Sequence, residues 1–436
     1  MTLLLHSSNN QRELDLGAQY HFAPHRCRFC DEPLLVDLVD LGMSPPCEAF
    51  LRPEQLEDKE AYYPLKVWVC TKCFLVQIAK YVEPEHIFDE YAYFSSYSTS
   101  WVAHAARYCD AMRSRLALGP RSLVVEVGSN DGYLLQHFVA QGVPVLGIEP
   151  AANVAAAAIR KGVRTQVAFF GRDLAEELVA AGFRADLIVG NNVLAQVPDL
   201  NDFVSGLAIL IKPGGTITLE FPHLQKLLSE CQFDTIYHEH YSYFSLTTVQ
   251  LIAARHGLDV VDVDEPTTHG GSLRVHLCPA AARRQAGKAV ERVLDREREF
   301  GLCGTQVYRA FTEDVRRIKR ELLSFLIAAK NDRKTICGYG APGKGNTLLN
   351  YCGVGVDFLD FTVDRNPHKH GCFTPGMHIP IRAVEALYEA RPDYVLILPW
   401  NLKHEIARQL RHLAESGSKL VVPIPELAII DPEGEW

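Results

Sequence analysis

Leu123-Val124-Val125-Glu126-Val127-Gly128-Ser129-Asn130-Asp131, followed at once by Gly132, is the stretch around which the chain is organised. Four of its first five residues are apolar, as in a short strand buried on both faces of a parallel sheet. The strand runs into a glycine-rich turn, and residues 133–141 carry helical spacing. Strand, glycine turn and helix in that order open a nucleotide-binding α/β unit. Gly128 and Gly132 let backbone approach a ligand where a side chain would collide.

A second apolar strand is expected over 143–148, with Glu149 at its C-terminal end, 17 residues after Gly132. A carboxylate there can accept both ribose hydroxyls of an adenosine ligand. The spacing Glu126-x-Gly128-x-x-x-Gly132 departs from the dinucleotide Gly-x-Gly-x-x-Gly and is the form common among S-adenosylmethionine (SAM) methyltransferases. SAM has no pyrophosphate, so polar Ser129, Asn130 and Asp131 are tolerable in the turn. The α/β pattern continues with a helix over 151–161, a strand over 185–190 ending at Asn191 and Asn192, and a helix over 200–211. Pro213-Gly214-Gly215 then precedes a strand over 216–221. Ligands in such sheets sit at the carboxyl ends of strands. The expected cofactor crevice is therefore Glu126, Gly128, Ser129, Asn130, Asp131, Gly132, Glu149, Asn191 and Asn192, with Glu220 at its edge. The strand ending at Asn191 does not close with Asn-Pro-Pro-Tyr, so the adenine N-methylation signature is missing.

The 436 residues suffice for two or three domains, and 47% hydrophobic residues suffice for their cores. No apolar run reaches membrane-spanning length and no charged-then-apolar leader is seen, so a cytoplasmic protein is expected. A net charge of -9 argues against broad nucleic-acid or anionic-membrane binding. Among the twelve cysteines, Cys27-x-x-Cys30 and Cys70-x-x-Cys73 are two knuckles with 39 residues between them. Four thiolates select zinc, and four protein ligands leave no open position, so the ion would be structural. Cys47 follows Pro46, as in the nucleophile of cytosine methylation, but lies inside the zinc module and is read as incidental. Residues 84–100 are rich in aromatics, among them Phe88, Tyr91, Tyr93, Phe94 and Tyr97, and read as a latch onto the next domain. A helix over 101–117 leads back to the first strand.

Between 232 and 245 the α/β pattern breaks. Tyr237-His238-Glu239-His240-Tyr241-Ser242-Tyr243-Phe244 packs three tyrosines, two histidines and a carboxylate into eight positions, suited neither to a helix face nor to a buried strand. Ser245 reads as the N-cap of a helix over 246–256, which leaves a polar loop at the mouth of the sheet. A histidine there can take a proton, a carboxylate can orient it, and a tyrosine can stabilise an oxyanion. Residues 283–332 are helical and highly charged, and read as two solvated helices. A second α/β unit begins near 334: Gly338-x-Gly340-x-x-Gly343 follows a strand, a helix starts near Lys344, and Asp364 ends the next strand 21 residues past Gly343. That fits a dinucleotide fingerprint and by itself could bind NAD. Strands over 394–398 and 419–422 complete a smaller sheet.

Taken with Asp89-Glu90-Tyr91-Ala92-Tyr93-Phe94-Ser95-Ser96, His269-Gly270-Gly271-Ser272-Leu273-Arg274 and residues 338–346, these motifs resemble the zinc-containing nucleotide-sugar C-methyltransferases that make branched deoxysugars, such as the tetronitrose-pathway 3-C-methyltransferases. The resemblance runs from about Cys27 to Pro425. It implies a SAM-dependent C-methyltransferase whose nucleotide-linked deoxysugar carries a 4-keto group. A base takes the acidified C3 hydrogen, and the enolate carbon takes the methyl group. The resemblance makes His240 that base, with Tyr237, Glu239 and Tyr91 around it. It places Gln196, Gly340, Lys344 and Asn346 against the substrate, Lys344 toward a phosphate. Where this family has His in Asn-Asn-Val-Leu-Ala-His-Val-Pro the chain has Gln196, which cannot take a proton at neutral pH. The expected architecture is α/β: a zinc-binding module (22–85), a Rossmann-like SAM domain (86–280), a helical linker (281–333) and a smaller Rossmann-like domain (334–436), in a monomer binding a small-molecule sugar and neither nucleic acid nor membrane. A methyltransferase acting on another small molecule or on nucleic acid, and an NAD- or nucleotide-binding protein, are the competing readings.

Overall fold

The strand Val124–Val127 is the third from one edge of a seven-stranded sheet, wholly buried, with parallel neighbours Val145–Ile148 and Ala185–Asn191 on its two sides. The computed structural model describes residues 25–82, 94–432 and 434. The order across this sheet is Leu258–Asp264, Ser272–Pro279, Ile211–Pro222, Ala185–Asn191, Val124–Val127, Val145–Ile148 and Thr165–Gln166. The last five are mutually parallel. Ser272–Pro279 inserts antiparallel between Ile211–Pro222 and Leu258–Asp264. Parallel strands buried on both faces read as continuous apolar runs, which is why the sequence exposed them. The helices Thr99–Leu116 and Leu135–Ala140 cover one face of the sheet, and Arg172–Ala180, Leu200–Leu210 and Leu246–Arg255 the other. Ser98 caps the first of these by accepting from the Trp101 N–H, and Ser245 caps the last through the Thr248 N–H, as its sequence position predicts.

The zinc module is a meander of Val36–Ser44, Tyr63–Val69 and Val76–Ile78. Its fourth strand, Ser242–Tyr243, comes from the polar stretch and pairs antiparallel with Val76–Ile78. The reading of 232–245 as loop throughout is corrected here: Ser242 and Tyr243 are buried in a strand. Two residues are too short for period-two alternation to register, and their partner lies far back in the chain. The module contributes Leu38, Val67 and Ile78 to one core and Cys27, Phe29, Trp68 and Leu75 to another. It is packed between the other domains and belongs to both cores.

Helices Lys288–Phe300 and Gln306–Asn331 correct the solvated reading in the same way. Each is charged on its outer face but buries a stripe. The longer one repeats Tyr308, Phe311, Val315, Ile318, Leu322, Leu326 and Ala329 at helical spacing against the zinc module and the last domain. The C-terminal sheet has the order Ile381–Arg382, Thr362–Val363, Ile336–Tyr339, Tyr394–Ile397, Lys419–Val422 and Ala428–Ile430, parallel except at the last edge. Among the described residues, no helix is long and apolar enough to cross a membrane.

Candidate active site

A cavity of about 330 Å³ opens at the carboxyl ends of the central strands. Of the nine residues expected at the cofactor, Gly128, Asn130, Glu149, Asn191 and Asn192 line it. Glu149 is buried; its Oε2 accepts the Asn130 N–H at 2.9 Å and its Oε1 accepts the Ala151 N–H at 2.9 Å. Burial raises its pKa, and these two backbone bonds oppose the rise. Asn130 sits at φ 48° and its Oδ1 accepts the Ser95 N–H at 2.9 Å, so turn, acid and the segment after 93 are locked together. Gly128 has φ +70°, and a Cβ on it would stand 3.2 Å from the Val193 side chain.

The other four hold the turn from behind. A Cβ on Gly147 would come within 2.5 Å of Ser129 Oγ, so Ser129 packs down on the second strand. Asp131 pairs with Lys161 at 3.0 Å, and Lys161 also reaches Ser96 Oγ at 2.7 Å. Gly132, at φ +77°, lies over Ala158 and Val163. Glu126 is wholly buried, and burial drives its pKa well up. Gln196, expected against the sugar, lines this cavity. Ser95, from the motif 89–96, lines it too, as do Trp101 and Asp199, which no sequence signal marked.

Glu220 does not line this cavity. It binds Arg274 of the His-Gly-Gly-Ser-Leu-Arg motif, His104 Nε2 at 3.1 Å and Thr268 Oγ1 at 2.8 Å. Burial alone would push its pKa up, but these partners hold it down at about 2. His104 stacks on Trp101 with ring centres 5.0 Å apart, and Trp101 meets His269 edge-on at 5.1 Å. His269 Nε2 lies 3.0 Å from Asn192 Nδ2, which ties the cofactor cavity to the histidine cluster beyond it.

In that cluster His240 Nδ1 lies 3.1 Å from the Thr235 carbonyl, which can only accept, so Nδ1 carries the proton and Nε2 is the basic nitrogen. Nε2 has no partner among the described residues. Burial pushes the imidazole pKa down to about 3, with His269 and Lys344 adding to the depression. The Tyr237 ring lies 4.1 Å from the His240 ring. Glu239 does not orient the histidine: it faces Cys47 Sγ at 3.9 Å, and burial together with Glu48 raises its pKa. The orienting group is a main-chain carbonyl, which leaves no trace in side-chain composition. His238 turns the other way, to the Pro64 carbonyl at 3.3 Å. Tyr91, Phe88 and Tyr93 lie outside the described residues.

The C-terminal glycine turn packs against protein. A Cβ on Gly340 would fall 2.6 Å from Pro399, and one on Gly343 would fall 2.8 Å from Cys47 Sγ and 3.2 Å from Glu48 Oε1. Asp364 accepts the Ala341 and Asn366 N–H groups, both at 2.8 Å. A carboxylate and a thiol thus pack against Gly343, the first residue of the helix Gly343–Cys352. Asn346 is buried and its Nδ2 donates to the Cys47 carbonyl at 2.6 Å. Lys344 alone of this group reaches the histidine cluster. Its Nζ donates to Asn401 Oδ1 at 2.9 Å over the Trp400 ring, and Trp400 Nε1 donates to Asp234 at 2.7 Å.

The four zinc-module thiols gather as their spacing predicts, with all sulfurs within 4.8 Å of one another. Cys27–Cys73 and Cys30–Cys70 are each 3.5 Å apart and Cys30–Cys73 is 3.6 Å. Four sulfurs held ~2.3 Å from one ion in a tetrahedron stand ~3.8 Å apart, so this cage fits zinc with no fifth position. Gln77 Nε2 donates to Cys27 Sγ at 3.2 Å, the outer-layer hydrogen bond such a thiolate takes.

Comparison with known proteins decides the family. Residues 27–88 match a family described as a zinc binding domain, residues 101–263 a methyltransferase domain, and residues 267–425 the C-methyltransferase C-terminal domain. C-methyltransferase NovU of Streptomyces niveus is 37% identical over 93% of this chain and 97% of its own length. The chain belongs to the C-methyltransferase family. Ubiquinone biosynthesis O-methyltransferase of Rhodopseudomonas palustris is 29% identical over 22% of the chain and 38% of its own length. The SAM-bound magnesium protoporphyrin IX methyltransferase of Synechocystis covers 44% of the chain and 88% of its own, at 16% identity and a TM-score of 0.31.

This C-methyltransferase is therefore a SAM-dependent enzyme with a zinc-binding module. When bound, SAM supplies an electrophilic methyl group. The residues suited to hold it are Glu149 for ribose hydroxyls and the Gly128 and Asn130 backbone beside it. The unpartnered buried Oδ1 atoms of Asn191 and Asn192 are suited acceptors for the amino-acid end.

Proposed function

We propose that the enzyme methylates C3 of a 4-keto nucleotide-linked deoxysugar, with His240 as the base. The observation that carries this reading is the His240 imidazole: fixed through Nδ1 to the Thr235 carbonyl, with no partner for Nε2 among the described residues, and close enough to His269, the partner of Asn192 on the cavity wall, for the two rings to influence each other. Carbon methylation needs a carbon nucleophile, and the hydrogen beside a ketone is the acidic one that a general base can remove. Tyr237, against the His240 ring, borders the sugar. Lys344 supplies the cation for the nucleotide's diphosphate, and Trp400 and Asn401 hold its ammonium in place. Glu239 keeps the loop against the zinc module through Cys47. The reading also holds that the enzyme is monomeric.

Incubating a panel of 4-keto nucleotide sugars with SAM, and following mass spectra for replacement of one hydrogen by methyl, tests the substrate class. In heavy water, C3 should exchange its hydrogen in the wild type and not in His240→Asn. No methylated product from any 4-keto sugar would refute the proposal.

A further inference from the structure

The motif His269-Gly270-Gly271-Ser272-Leu273-Arg274 has so far given only Arg274 a task, yet its first residue stands between the cofactor cavity and the base. His269 has φ 55° and ψ 22°, and Gly270 and Gly271 follow with φ 88° and 110°. A side-chain-bearing residue is strained in that region and persists only where its surroundings over-determine it. They do so here. The Gly270 carbonyl accepts Gln232 Nε2 at 2.8 Å, the Gly271 N–H donates to the Thr268 carbonyl at 2.9 Å, and the Gly271 carbonyl accepts the His223 N–H at 3.1 Å. A Cβ on Gly270 would stand 2.7 Å from Trp400, the ring beneath Lys344. Gln232 belongs to the same loop as Thr235, which orients His240.

The strained turn thus aims one imidazole, with Trp101 edge-on against it. The Asn192 amide nitrogen donates to Nε2 at 3.0 Å, which leaves the ring proton on Nδ1. Nδ1 has no partner among the described residues. The ring stays neutral: burial, then Lys344, then His104, hold its pKa down at about 4 against the opposing pull of Glu220.

We propose that His269 is a second catalytic residue, whose Nδ1–H donates to the substrate's ketone oxygen and holds the enolate oxygen as it forms. This rests on the ketosugar reading above. His240 Nε2 takes the proton beside the ketone, the C–H pair becomes a carbon–carbon double bond, and the carbonyl π pair moves onto oxygen at His269. The carbon–methyl bond then forms as the sulfur–methyl bond breaks with its pair on sulfur. The ketone is restored, and the proton on His240 leaves to water. A neutral imidazole suits the task, because it donates a hydrogen bond without giving up its proton. The enolate is therefore held between two neutral histidines, one acting as base and one as donor.

The test uses His269→Asn, since asparagine tolerates positive φ, and His269→Leu, which removes the donor. Three quantities are measured on the full enzyme: SAM affinity by calorimetry, methylation kcat, and hydrogen exchange at the substrate carbon in heavy water with S-adenosylhomocysteine bound. Both variants should lose about 10²–10³-fold in exchange and in kcat, the cost of one oxyanion donor, while SAM affinity stays within about 3-fold. Wild-type exchange in His269→Asn with weakened SAM binding would overturn the proposal and reduce His269 to a support for Asn192. If His269→Leu does not fold, His269→Asn decides. A wild type that exchanges no hydrogen beside the ketone of any 4-keto sugar overturns the ketosugar reading together with this one. A wild type that exchanges, matched by His269→Asn, overturns only the role of His269.

Discussion

Replacing Glu149 by glutamine changes one atom and should separate the cofactor's contact from the turn's own stability. The carboxylate accepts two backbone N–H groups, from Asn130 and Ala151, each at 2.9 Å and each on its own oxygen. Glutamine has one oxygen, so its amide nitrogen must face one of those donors. A buried donor left without an acceptor costs ~1–3 kcal/mol, which is the expected loss of folding stability. Glu149 also lines the cavity, where the ribose hydroxyls of SAM would donate to its carboxylate. Losing a charged acceptor there costs ~1.5–3 kcal/mol, or roughly a 10- to 150-fold rise in the SAM Kd. Glu149→Ala should lose at least as much, since it also empties volume beside Asn130. Calorimetric titration with SAM gives the affinity, and denaturant unfolding without SAM gives the stability. A Kd within about 3-fold of wild type in both variants, alongside the predicted loss of stability, would refute the ribose assignment and leave Glu149 as a turn brace only.

Elemental analysis should find one zinc per chain, and Cys70→Ser should lose it along with thermal stability; a metal-free protein of unchanged Tm would contradict the cage. His240→Asn should keep SAM affinity while losing about 10²–10⁴-fold in rate, as when a general base is removed. Because burial holds His240 at about pH 3, the acid limb of kcat/KM should not appear near pH 6.5, and a limb there would count against a neutral buried base. Glu220 sits at about 2 in the fold against a carboxylate's usual 4.5, so its stabilisation is present above about pH 4.5 and fades as pH falls toward 2. Glu220→Gln should accordingly cost ~3 kcal/mol at neutral pH, and the gap from wild type, read by denaturant unfolding, should close across that acid window. Gln196→His should be tolerated, with SAM affinity little changed and kcat equal or modestly raised; a folded but inactive variant would show that glutamine is required at the cavity wall.

What the sequence by itself determined is what local chemistry writes locally. A strand buried on both faces is apolar throughout, and a glycine turn must follow it for backbone to come close, so 123–132 announced its sheet and its cofactor. Two Cys-x-x-Cys pairs announce a cage, because thiolates brought that close call for a cation among them. The acid after the second strand and the paired asparagines at the end of Ala185–Asn191 followed from the rule that ligands sit at the carboxyl ends of strands. Side-chain roles that depend on direction were decided only in three dimensions. That Glu126, Ser129, Asp131 and Gly132 lie behind the turn while Gly128 and Asn130 line the cavity depends on the pleat and on helices packed behind. Glu239 stands next to His240 in sequence, yet both lie in a tight turn closed by the His240 N–H on the Tyr237 carbonyl, in which neighbouring side chains diverge, so Glu239 faces Cys47 while a carbonyl at Thr235 sets the base. The C-terminal glycine fingerprint was legible, but its use was not: Cys47, Glu48 and Pro399, distant in sequence, fill the space that the glycines leave. Ser242–Tyr243 became a strand only because the zinc module offered it an edge, and a pairing partner far along the chain leaves no periodic mark on two residues.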